Sequence, residues 1–291
     1  MNPLSRLKST VIRPRRGFKF NRPLVLLQSD DWGRVGVRDD EGWELLRSSG
    51  LNLGAHPYDF YSLETADDVS ALHAMLSGHR DSSGRSACMV MNFVTANIDF
   101  HKATPACREI PLRPLSSGLP GSWKRPGLFE ELRAGIADGV FYPALHGLTH
   151  FCYPALLASL SVDSRAELLQ KFWTAETPYI YWRMPWVGYE YCSAEGQFLQ
   201  REQQRAAIER AAEIFRGTFG FRPFSACAPG YRANSDAHAE WRLAGVKVAQ
   251  NGPGRPLHPH FDDYGILHLY RVIDFEPSHS IIDFQKLFRG N

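Results

Sequence analysis

Cysteine is scarce in this chain of 291 residues. There are five, Cys88, Cys107, Cys152, Cys192 and Cys227, and no two form a C-x-x-C pair. An odd, scattered set excludes a disulfide framework and a cysteine zinc site, and points to a reducing compartment. Long apolar runs are missing too: none approaches the ~18 residues of a membrane span. The net charge of +2 is too weak for a nucleic-acid partner. Neither G-x-G-x-x-G nor G-x-x-x-x-G-K-[ST] occurs, so nucleotide binding has no support. No internal repeat or low-complexity tract is found.

What is present is the composition of a globular protein, 44% hydrophobic and 22% charged. The length is normal for one α/β barrel. Residues 1–22 are basic and lack the apolar centre of a secretory signal. Seven Lys or Arg and no acid precede Asp30. They are expected to form a solvated leader, with contact to an anionic membrane surface as the functional alternative. The expected location is the cytoplasm. Residues 23–291 are expected to form the main domain.

Six short apolar runs read as buried strands: "PLVLLQS", "ACMVMNFVTA", "VFYPALH", "FSACAP", "VKVAQNG" and "ILHLYRVIDF". Helical patterns separate them. Val69, Leu72 and Leu76 share one helix face, with Asp67 and Asp68 at its positive end. Ile208, Ala211, Ala212 and Phe215 form another stripe, closed by Gly217 and Gly220. A short helix in "NSDAHAEWRLAG" leads to the next strand. Strands alternating with helices imply a mainly parallel α/β sheet, open or barrel-shaped, with ligands at the C-terminal strand ends.

Two stretches sit at such ends. "LVLLQSDDWGR" runs four apolar residues into Asp30 and Asp31. Paired carboxylates at a strand end repel and need a metal ion, an arginine or solvent beside them. "HGLTH" places His146 and His150 four apart, the spacing at which a helical turn converges two imidazoles on one ion. Two histidines and one carboxylate leave positions open, as catalytic metal sites do. The second aspartate is then free to take a proton from an activated water, which is hydrolytic chemistry. Trp32, directly after the carboxylates, is expected on the pocket wall. The loop Tyr179–Tyr191 is aromatic and reads as packing on the rim, with sugar stacking as the alternative. "HPHFDD" (258–263) reads as a polar loop, with a second metal site as the alternative.

"SDDWG" followed by "HGLTH" resembles the polysaccharide deacetylase family, the NodB-homology group. "FYPALHGLTH", "FGFRPFSACAPGY" and "DFEPS" resemble later blocks of its polysaccharide deacetylase-like subgroup. The likeness spans roughly residues 24 to 278. It implies a distorted (β/α)7 barrel and removal of acetyl groups from a polysaccharide or glycan. By position, Asp30 is the general base. Asp31, His146 and His150 hold one divalent ion, zinc first, with cobalt, nickel or iron as substitutes. Pro229 and Tyr231 line the pocket. Cys227 stands where the family often has the arginine that steadies the base, and Arg232 is the candidate replacement. The family's late strand, with its general-acid histidine, has no evident match after "FEPS". The chain is therefore expected to lack its last strand and to have weak or no activity; the alternative is that His279, or His268 on the preceding strand, supplies the proton. The alternative function is a carbohydrate-binding barrel that keeps the metal site but is catalytically impaired.

Overall fold

Strands form where the apolar runs predict them, each short and bounded by turn residues. The computed structural model describes residues 25–253 and 258–271. The basic leader and the stretch with His279 lie outside the described residues. The strands are β1 (Leu27–Trp32), β2 (Met89–Phe93), β3 (Ala96–Ile98), β4 (Leu112–Pro114), β5 (Phe141–Leu145), β6 (Ser225–Cys227), β7 (Val248–Asn251), β8 (His260–Phe261) and β9 (Leu267–Tyr270). Seven make one sheet in the order β1-β2-β5-β6-β7-β9-β8, while β3 and β4 pair apart as a small ribbon. All ladders of the main sheet are parallel except β8–β9. The six predicted runs hold the six strands from β1 to β9 that run parallel. The sequence pattern missed β3, β4 and β8, which have two or three residues each.

The helices are α1 (Asp40–Ser48), α2 (Ala66–Gly78), α3 (Leu128–Ala137), α4 (Tyr153–Ser159), α5 (Asp163–Thr174), α6 (Arg201–Phe219) and α7 (Ser235–Ala244). Local chemistry sets their ends. Thr65 and Asp68 make a reciprocal capping box at the start of α2. Asn234 caps α7 by accepting from Ala237 N. α6 stops at Gly220, in the left-handed region. Ile208, Ala211 and Phe215 of α6 and Trp241 of α7 are buried with Phe93, Phe141 and Leu145 of the sheet. No helix among the described residues is long and apolar enough to cross a membrane.

The sheet is strongly curled. Asn92 on β2 donates to Gln250 Oε1 on β7 at 2.8 Å, although β5 and β6 lie between. Across a flat sheet those strands would stand ~14 Å apart. Gln250 Nε2 returns a bond to Asn92 Oδ1 at 2.9 Å and another to Ser225 Oγ at 2.7 Å. Inner side chains thus meet across a hollow. Arg271, just past β9, likewise reaches Gln28 and Asp30 of β1. Even so, no backbone ladder joins β1 to β8 or β9 among the described residues. The fold is mixed α/β with a mostly parallel sheet that does not close among the described residues: side chains, not a ladder, span the gap.

Candidate metal centre

The strand ends do gather the two motifs. A cavity of about 390 Å³ is lined by Asp30, Asp31, His146 and His150 together with Arg34 and several tyrosines. Two successive residues of a regular strand point to opposite faces. Asp30 and Asp31 both reach the cavity because Asp31 has φ +68°, and the β1–β2 register slips between Ser29 and Trp32. Such a break re-aims one side chain. Tyr61 Oη holds the turn by donating to Asp31 O at 2.9 Å. Arg34 N adds a bond to the same carbonyl at 3.2 Å.

The same break disposes of Trp32. Its ring is buried, tilted against Phe93 at 6.3 Å between centroids, and is not on the cavity wall. Sequence adjacency to the carboxylates was a poor guide because the backbone reverses the expected alternation. Tyr231 does line the cavity, next to Gly230. Pro229 is buried at the start of the same turn, and neither it nor Arg232 lines the wall.

His146 and His150 do not share a helical turn. Residues 146–150 form a loop after β5, and the next helix begins only at Tyr153. A carboxylate shapes this loop. Glu190 Oε1 accepts from Leu148 N at 2.7 Å and Thr149 N at 3.1 Å. Gly147 has φ +88°, and a Cβ there would lie 1.8 Å from Glu190 Oε2. The glycine is therefore required twice, by backbone conformation and by space. Burial pushes the Glu190 carboxyl up to about 7, against the opposing pull of its two N–H donors. No spacing in the sequence marks Glu190 as part of this turn.

The imidazoles are oriented from behind. His146 Nδ1 lies 2.8 Å from Cys227 O, so that nitrogen carries the proton. Tyr179 Oη donates to His150 O at 2.8 Å and therefore accepts from His150 Nδ1 at 3.1 Å. Both Nε2 lone pairs then face forward, the state that ligates metal. Asp31 Oδ1 lies 3.4 Å from His146 Nε2 and 3.1 Å from His150 Nε2. The three ligating atoms fall within 4.8 Å of one another. Asp31 Oδ1 is buried and has no hydrogen-bond partner.

The charges say the same. Burial opposes the Asp31 charge, yet His150, Arg34 and His146 together hold its carboxyl well below the usual range. Burial also lowers His150 to about 3, against the pull of Asp31. For His146 the opposite wins: burial disfavours its proton, but the side chains of Asp31 and Cys227 hold it well above the usual imidazole range. A positive charge between Asp31 Oδ1 and the imidazoles is what this geometry lacks, and a proton on His146 or a metal cation fills the same gap.

Asp30 is held differently. Its Oδ1 accepts from Asn92 Nδ2 at 2.8 Å and Arg271 Nη2 at 2.5 Å. Its Oδ2 has only Tyr231 Oη at 3.4 Å and Cys227 Sγ at 3.9 Å. Arg271, not Arg232, is thus the arginine on this carboxylate. Its single signal in the sequence was a charge at the end of the apolar run "ILHLYR".

Two further groups of ligand type occur among the described residues. Asp262 meets His268 and His238, not the neighbouring His258 and His260 that its loop suggested. There Asn251 Nδ2 donates to His268 Nδ1 at 3.3 Å, so His268 Nε2 carries the proton and gives it to Asp262 at 3.2 Å. The forward nitrogen is occupied, unlike those of His146 and His150. This tie also removes His268 as proton donor to the cavity, which it does not line. The other group, Asp30, His146 and Cys227, is the inner side of the same centre. His56, which the sequence reading passed over, does line the cavity.

No protein-family profile and no curated protein matches the chain. Among solved structures it is similar to the deacetylase domain of BpsB from Bordetella bronchiseptica, at 15% identity and TM-score 0.37, over 86% of this chain and 89% of that one. The polysaccharide deacetylase BC0361 from Bacillus cereus matches at 9% identity and TM-score 0.42, over 91% and 68%. A 4-alpha-glucanotransferase from Thermococcus litoralis matches at 10% identity and TM-score 0.41, over 84% and 27%. Likenesses this loose extend to unlike activities, so the functional case rests on the residues of the centre.

Proposed function

We propose that this protein is a metal-dependent hydrolase that removes acetyl groups from a polysaccharide or glycan. The observation that carries the reading is the convergence of a buried carboxylate oxygen, Asp31 Oδ1, on the Nε2 atoms of two imidazoles, at 3.4 and 3.1 Å, whose rings Cys227 O and Tyr179 Oη orient from behind. Three such groups left without a cation would be costly to bury. Asp31, His146 and His150 would hold a divalent ion. Two nitrogens and one carboxylate suit zinc, and accept cobalt, nickel or iron. Such an ion polarises an acyl carbonyl and makes a water acidic near neutral pH.

The chain's own groups complete the chemistry. Asp30 takes the water proton at Oδ2, the oxygen that its strong partners leave open. Arg271 and Asn92 hold Oδ1 and so fix which lone pair points forward. Tyr58, Tyr61, Tyr181, Tyr189 and Tyr231 surround the cavity with ring carbon and hydroxyls, a lining suited to sugar.

The test is acetate release from acetylated oligosaccharides, after chelation and after return of zinc or cobalt. Asp30→Asn should bind one ion and lose about 10²–10⁴-fold in turnover. His146→Ala should lose the ion. Full metal-stimulated turnover in both variants would refute the roles. One tightly held ion with no acetate release from any acetylated glycan would select the carbohydrate-binding alternative.

A further inference from the structure

Arg34 is a cation that the hydrolytic scheme above leaves without a task. Its guanidinium lies 5.0 Å from the ring centroid of Tyr61 and 5.1 Å from that of Tyr179. Its Nη1 donates to Asp31 Oδ2 at 3.1 Å. Its Nε is buried and has no partner. The side chain is 13% exposed, and that exposure is to the cavity, whose wall it forms. Burying a guanidinium is costly, and structure alone uses little of its fork.

The charge count is equally pointed. Asp30 and Asp31 are balanced by Arg271 and Arg34 before any ion is added. A divalent ion therefore leaves the centre with an excess of two positive charges, and an anion is the complement it needs. A carboxylate has two oxygens, one for the ion and one for a guanidinium beside it, and Arg is the side chain whose planar fork fits it.

We infer that Arg34 is a carboxylate-binding residue of this cavity, engaging the free oxygen of the acetate that the reaction releases. The inference rests on the proposed metal centre and assigns it a specificity contact. The same chemistry would hold the acid group of a uronic sugar, which is the other source of a carboxylate in a glycan.

Calorimetry on cobalt-loaded protein separates these. Acetate, acetamide and glucuronate are titrated into the wild type, Arg34→Met and Arg34→Lys, each at one ion per chain. Arg34→Met should weaken acetate at least tenfold and leave acetamide within twofold. Arg34→Lys, which keeps the charge but not the fork, should fall between. If Arg34→Met releases the ion, Arg34→Lys decides on the same scale. An Arg34-dependent loss for glucuronate alone would keep the carboxylate site and move its source to the substrate. Acetate and glucuronate both within twofold of wild type in an ion-loaded variant would overturn the inference, leaving Arg34 only as a support for Asp31. A wild type that binds no cobalt would instead overturn the metal centre itself.

Discussion

Replacing Glu190 by Gln and by Ala separates two jobs of one buried carboxyl. Its Oε1 terminates two backbone N–H groups of the histidine loop, and its Oε2 is buried without a partner. Alanine leaves both N–H groups unsatisfied, at about 1–3 kcal/mol each. A loss of about 2–6 kcal/mol is expected, a large share of a typical domain's stability. Glutamine keeps a carbonyl oxygen at the same place and removes the ionisation. The folded carboxyl titrates at about 7 against an ordinary 4.5. Below pH 4.5 both folded and unfolded chains hold this proton. Between there and pH 7 the unfolded chain releases it while the folded chain keeps it, so stability falls as pH rises. The linkage amounts to about 3 kcal/mol. Urea unfolding of metal-free protein, followed by tryptophan fluorescence, should therefore show Glu190→Gln gaining on the wild type by up to about 3 kcal/mol between pH 4 and pH 8. A difference between the two that stays constant over that range would refute the assignment. If Glu190→Ala unfolds outright, the Gln comparison still stands.

Other consequences are simpler. Tyr179→Phe removes the acceptor of His150 Nδ1–H, and ion affinity measured by competition with a chelator should fall about 10–100-fold. Arg271→Met leaves the Asp31 group untouched but removes the charged one of the two donors to Asp30 Oδ1, so turnover should drop while one ion per chain is retained. His268→Asn should leave metal content unchanged by elemental analysis, because its forward nitrogen is already bonded to Asp262. A fall in metal content there would mean a second ion site.

Strand content was legible because burial needs apolar runs, and β1, β2, β5, β6, β7 and β9 each came from one. The short β3, β4 and β8 were not, since two or three residues hold too little pattern to stand out. Asp30, Asp31, His146 and His150 share one cavity wall, a grouping that residue type and position at strand ends make legible in the sequence. Trp32 was misplaced by assuming that neighbours in sequence share a wall. Arg232 stands next to the motif in sequence, whereas Arg271, which bonds Asp30 in space, lies 241 positions from it and no spacing points to it.

The chain's residues thus set by themselves which segments could be buried and which groups could ligate or titrate, because those are properties of local chemistry. Three-dimensional folding decided who meets whom. A left-handed residue inside β1 brought two adjacent carboxylates to one hollow, and a buried Glu190 bent the histidine loop toward them. The curl of the sheet carried Arg271 to Asp30 across 241 positions of sequence. Contacts between distant segments follow from packing and curvature, which one-dimensional spacing does not encode.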